Sequence, residues 1–246
     1  MPILNQRVPR KLLKAALNEV HALHRQSTLL HRGLRPRGIS LSCHGEPVDV
    51  VFLLHGFLAT AGVFDPLAQH LRAKGLAHIT SFTYHPFRTI ASLAAELRRS
   101  CEALPRRARL HLVGHSLGGV VARYYVQELG GARRVEQIIS LASPFHGTET
   151  ALKLLSPLGK VTPTLREIAP DSPLLTKLRS RPIPIPHTSI VAKEDLLVTP
   201  PQSAAFPGSE VIELEGVGHN GLLFDERVAQ VVIEKILARR RRQAAE

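Results

Sequence analysis

Apolar residues along this 246-residue chain fall into two alternating patterns. Short, nearly unbroken runs such as Val50-Val51-Phe52-Leu53-Leu54 and Leu110-His111-Leu112-Val113 read as strands buried on both faces. They predict strands near 48–54, 77–83, 109–113, 135–141, 187–192 and 210–215. Between them the spacing widens to that of amphipathic helices near 63–74, 89–104, 117–129 and 226–238. Strand and helix in alternation predict an α/β fold, with a mostly parallel sheet and helices on both faces. The last helix has a clear start at Asp225, a candidate N-cap, and a buried stripe of Val228, Val231, Val232 and Ile236.

Two regions depart from the alternation. Residues 148–186 hold seven prolines, among them Pro157, Pro163, Pro170 and Pro173, with short helical runs expected at 149–155 and 174–179. They lie between two strands and read either as a small lid or cap or as a crossover with no gating role. Upstream, Leu12, Leu13, Ala16, Leu17, Val20 and Leu23 recur at helical spacing. That segment is an amphipathic helix with a basic face. It is either a membrane-surface anchor or a helix packed on the domain. A Pro/Gly/Arg linker follows at 33–38, then a candidate edge strand Ile39–Ser42 and a turn at His44–Pro47.

Charge sharpens this division. The chain carries +12, yet residues 1–37 set eight Lys or Arg against the single Glu19, a net +7, and residues 239–246 add +3. The organisation expected is therefore a basic extension (1–37), a nearly neutral α/β domain (38–238, with 148–186 as the candidate lid) and a basic tail (239–246). A neutral domain argues against a nucleic-acid groove built into it, and the basic ends leave open a contact with either anionic membrane lipid or nucleic acid. No run of 18 apolar residues and no secretory signal pattern is present, so a cytoplasmic protein is expected, with peripheral membrane contact as the alternative that the basic helix leaves open. Cys43 and Cys101 are the only cysteines, and nothing in their spacing requires a disulfide.

The chemistry concentrates in Gly114-His115-Ser116-Leu117-Gly118, a G-x-S-x-G sequence set between a strand and the helix-forming Val120–Val126. That setting is a nucleophile elbow, in which the serine sits on a turn too tight for side chains two positions away. A serine hydroxyl is a weak nucleophile near neutral pH and needs a base, which needs an orienting acid. For an elbow of this type the chain order is serine, acid, histidine. His219 follows the last strand and precedes the last helix. His187 and His146 are out of order, while His55 and His115 sit inside motifs as structural or lining groups. Asp195, Glu194 and Asp171 are the carboxylates available, and Asp195 heads the Asp-Leu-Leu-Val run after the strand His187–Ala192. Oxyanion donors are expected at the N–H groups of Phe57, after Gly56, and of Leu117, after the nucleophile.

Together, His55-Gly56-Phe57-Leu58, Gly114–Gly119, Leu141-Ala142-Ser143-Pro144-Phe145-His146-Gly147-Thr148, Asp195-Leu196-Leu197-Val198 and Gly218-His219-Asn220-Gly221-Leu222 resemble the α/β-hydrolase superfamily, in its bacterial lipase and esterase branch. The phrases run in the family's order over about residues 48–238. The resemblance implies Ser116 as nucleophile, Asp195 as acid and His219 as base, acting on a small-molecule ester or lipid through an acyl-enzyme. Acyltransferases and thioesterases use the same machinery, and a non-catalytic binding protein on this fold is the reading from another class. Some lipases of this group bind calcium or zinc, but no cluster here matches such a site. No metal or cofactor is therefore expected, and no specific nucleic-acid partner.

Overall fold

The computed structural model describes residues 10–33, 41, 44–81, 83–85, 87–151, 153 and 162–243. Its centre is a six-stranded sheet: β1 (Val48–Leu54), β2 (His78–Ser81), β3 (Ala108–His115), β4 (Val135–Leu141), β5 (His187–Ala192) and β6 (Glu210–Leu214). The spatial order is β2-β1-β3-β4-β5-β6, and every pairing is parallel. The helices are α1 (Arg10–Leu29), α2 (Asp65–Ala73), α3 (Ile90–Glu102), α4 (Leu117–Glu128), α5 (Pro163–Glu167), α6 (Pro173–Arg179) and α7 (Glu226–Gln243).

Parallel strands covered on both sides explain the unbroken apolar runs. Along β1, Val50, Phe52 and Leu54 join a core with Leu93 and Leu97 of α3 and Val120 and Val121 of α4. Val51 and Leu53 enter the opposite core, with Leu67 and Leu71 of α2 and Val228, Val232 and Ile236 of α7. Consecutive side chains of a strand point to opposite faces, so each strand must be apolar throughout. The chain leaves β1 toward β2 on one side and leaves β3 toward β4 on the other. The carboxyl ends of β1 and β3 thus flank a topological switch point, where open α/β sheets form a ligand crevice.

Side-chain caps set several helix starts. Thr89 accepts from the N–H of Ser92 before α3 and Ser172 from the N–H of Leu175 before α6, each at 3.2 Å. Asp225 accepts from the N–H of Arg227 at 2.9 Å before α7. In the basic segment expected at 239–246, α7 runs on to Gln243, so the arginines form its last turns. Arginine is a good helix former, and positive charge suits a helix C-terminus. Arg239 also pairs with Glu136 at 3.2 Å, tying the run to β4.

The N-terminal helix forms, but it lies on the domain with an unexpected face inward. Ala15, Glu19 and Ala22 are buried, whereas Leu17 and Val20 are 59% and 64% exposed. Alanine leaves room for close backbone approach, which a leucine stripe would prevent. Thr60 donates its hydroxyl to the Leu30 carbonyl at 2.8 Å, and the Arg25 guanidinium sits 4.3 Å from the Phe224 ring centroid. Within residues 10–33 the change of composition is thus not matched by a separation in packing. The side chains of Leu12 and Leu13, most of the 33–38 linker, residues 39, 40 and 42 of the candidate edge strand and Cys43 lie outside the described residues, and Leu41 is not in a strand. Cys101 is buried in the α3 core, where burial pushes its thiol up to about 12.

The proline-rich insertion carries α5 and α6, with residues 149–151 and 153 also helical; residues 152 and 154–161 of that stretch lie outside the described residues. It is fastened at several points. Glu167 accepts the N–H of Ile90 at 2.6 Å, the N–H of Thr148 donates to Ile168, and Gln127 donates to the Leu178 carbonyl.

Candidate active site

Ser116 stands between the last residue of β3 and the first of α4, with φ 53° and ψ −120°. A non-glycine residue at positive φ is strained and persists only where its surroundings enforce it. Here the Ser116 N–H is held by the Leu141 carbonyl at 2.8 Å. Gly118 packs so closely on β1 that a Cβ there would collide with the Leu54 carbonyl. The elbow is thus pressed against the sheet from both neighbouring strands. Leu117 is the first residue of α4, and its N–H belongs to the helix's opening turn, which has no partner within the helix.

His219 and Asp195 come together from different strand ends. Nδ1 of His219 lies 2.8 Å from Oδ2 of Asp195, and both residues are buried. The other carboxylate oxygen, Oδ1, accepts from the N–H groups of Leu197 and Val198, both at 2.8 Å. That turn fixes the carboxylate with one oxygen aimed at the imidazole. Glu194 faces elsewhere, accepting from the N–H of Gly216 at 2.8 Å. Asp171 sits at positive φ between α5 and α6, with its side chain exposed. Burial pulls the His219 pKa down, but the charge and hydrogen bond of Asp195, with the charge of Glu19, outweigh it and hold the value above 6.5.

The two motif histidines have structural positions. His55 stacks on Tyr84 with centroids 4.0 Å apart. Its Nε2 accepts from the Tyr84 N–H at 3.2 Å, so Nδ1 carries the proton and donates to the Gly56 carbonyl at 2.8 Å. Burial lowers its pKa to about 4, so the ring is neutral near pH 7. A trans peptide places the Phe57 N–H opposite the Gly56 carbonyl, and this donor is thereby turned away from His55. His115 is buried and donates Nε2–H to the His219 carbonyl at 3.1 Å; burial and the neighbouring His219 push its pKa well below the ordinary value.

A cavity of about 380 Å³ opens at the switch point. Ser116, His219 and Phe57 line it with mostly apolar walls: Leu58 from the β1 turn, Leu165 and Ile168 from the insertion, Leu197 and Val198 from the Asp195 turn, and Leu23 and Leu30 from the N-terminal segment. The volume falls in the usual range of small-molecule sites, about 300–1,000 Å³. Sequence reasoning placed Ser116, Asp195, His219, Phe57 and Leu117 here, and the structure brings all five to the same end of the sheet. It did not find the α1 wall, nor Glu19, which reaches the loop after His219. The available signal was a lone acid in a basic helix.

A family model described as palmitoyl protein thioesterase matches residues 50–178, just over half of the chain. Among solved structures, the mature lipase BlEst2 of Bacillus licheniformis superimposes with a TM-score of 0.63 at 14% identity, covering 81% of this chain and 96% of that one. Lipase B of Aspergillus fumigatus gives 0.65 at 16%, covering 80% of this chain and 54% of that one, so this chain matches about half of that lipase. An esterase from Thermogutta terrifontis gives 0.51 at 16%, covering 79% and 91%. At such identities the structural likeness speaks for the fold, and the family match carries the rest. The chain has the α/β-hydrolase fold and belongs to the palmitoyl protein thioesterase family.

Proposed function

We propose that this chain hydrolyses esters or thioesters of apolar acyl groups through an acyl-enzyme on Ser116. The observation that carries the reading is the His219–Asp195 pair, buried beside a strained serine at the head of one apolar cavity. Asp195 engages Nδ1 of His219, which leaves Nε2 to exchange protons in the cavity. Ser116 Oγ attacks the acyl carbonyl as Nε2 takes its proton, and the oxyanion is met by the N–H groups of Phe57 and Leu117. The tetrahedral species collapses, and the departing alcohol or thiol leaves with the proton from His219. Water then repeats the sequence, giving its proton to His219, and releases the carboxylic acid and free Ser116. Every step uses groups of the chain itself, and no metal or cofactor enters. The family match favours thioesters of long acyl chains among the candidates.

An acyltransferase would follow the same path to the acyl-enzyme and then use an alcohol in place of water. The two are separated by incubating the enzyme with oxyesters and thioesters of graded acyl length, with and without added alcohol, and analysing the products. Free acid as the main product supports hydrolysis; a new ester supports transfer; no turnover on any acyl substrate rejects both.

The exposed Leu17 and Val20 on the basic α1 support peripheral contact with anionic lipid as part of the same proposal, in a cytoplasmic setting. Among the described residues, no helix is long and apolar enough to cross a membrane.

A further inference from the structure

Glu19 is the one acid among the first 37 residues, and α1 carries it, buried, to the loop that follows β6. Its carboxylate lies 3.0 and 3.2 Å from the backbone N–H of Asn220 and 2.5 Å from the Asn220 side-chain amide. Asn220 directly follows His219. The carbonyl of the same peptide unit, that of His219, accepts from His115 at 3.1 Å. One peptide bond is therefore gripped at both ends: by a buried imidazole from the end of β3 on one side, and by a carboxylate from α1 on the other. Gly218 makes room for this approach, since a Cβ there would press on the Glu19 carboxylate. A buried carboxylate is costly unless its oxygens are hydrogen-bonded, and here both oxygens are used.

We propose that Glu19 is a positioning residue for His219, so that the imidazole takes its working orientation only when α1 is seated on the domain. This rests on the reading of His219 as the catalytic base, but its structural content stands apart from turnover. Glu19 acts in two ways. It fixes the backbone that carries the imidazole, and its charge favours the imidazolium formed during acyl transfer. The other ionisable groups facing His219 are Asp195, from the turn after β5, and His115.

Glu19→Gln and Glu19→Ala separate the two contributions. Glutamine keeps a carbonyl oxygen for the Asn220 N–H but removes the charge; alanine removes both. NMR titration of the His219 ring is followed beside kcat and KM on a soluble short-chain ester. Expected in Glu19→Gln is a lowered His219 pKa, with the acidic limb of kcat/KM moved to lower pH by the same shift. Expected in Glu19→Ala is loss of the sharp low-field Nδ1–H resonance and a 10- to 100-fold fall in kcat with KM little changed. An unshifted His219 pKa in Glu19→Gln overturns the proposal, and this arm decides the matter even if Glu19→Ala fails to fold. A His219 that responds in a protein without esterase activity on any substrate keeps the positioning role and rejects the hydrolase reading. An active enzyme whose His219 ignores both substitutions does the reverse.

Discussion

Asp195 divides its carboxylate between two tasks: Oδ2 meets His219 Nδ1 at 2.8 Å, while Oδ1 is tied down by the N–H groups of Leu197 and Val198. An acid that held the imidazole alone would be free to rotate. This one is locked by its own turn, and so sets which imidazole nitrogen keeps the proton. Asp195→Asn is expected to lower turnover by about 10⁴, the effect of losing the correct tautomer in an otherwise intact site. Glu194→Gln, whose carboxylate serves the Gly216 N–H instead, is expected to change kcat less than about threefold. Steady-state kinetics of the two variants check the assignment, and the opposite ranking moves the role to Glu194.

The pH profile follows from the surroundings of His219. The imidazole must be neutral to accept the serine proton. Burial alone would lower its pKa, but Asp195 and Glu19 raise it above 6.5. Activity is therefore off at low pH and rises as pH passes through the raised value. The acidic limb of kcat/KM is expected above pH 6.5, and a limb well below that value contradicts the electrostatic account.

Close packing at the elbow makes its own prediction. Gly118→Ala puts a methyl group against the Leu54 carbonyl, which belongs to the central strand β1 and cannot swing aside. Overpacking of this kind costs about 1–3 kcal/mol. At about 2–4 °C per kcal/mol for a chain of this size, thermal unfolding by circular dichroism should fall by several degrees. Ester turnover should fall as well, because the same collision displaces the first turn of α4.

Most of the sheet and much of the site are legible in the residues because they rest on local patterns. The β1 and β3 runs are apolar on both faces, and Ser116 announces itself through the strand before it and the helix after it. His219 is found by chain order alone. The seat of α1 is not legible in the same way. Periodicity points its leucines inward, yet Ala15, Glu19 and Ala22 face the domain, because what the helix meets is the polar loop at Gly218–Asn220. A hydrogen bond between residues 201 positions apart leaves no local trace. The extension of α7 through Arg239–Gln243 was hidden for a different reason: charge composition suggests a tail, whereas Glu136 on a neighbouring strand gives the first arginine a partner.

The central claim is that Ser116 is acylated because His219 and Asp195 activate it. A fluorophosphonate probe followed by peptide mapping tests this most directly. Wild-type protein should carry the label on the peptide containing Ser116. Ser116→Ala should carry none and lose several orders of magnitude in ester turnover, keeping only what substrate binding and the oxyanion donors provide. Labelling of the Ser116→Ala protein equal to wild type, or a label mapped to another residue, contradicts the account.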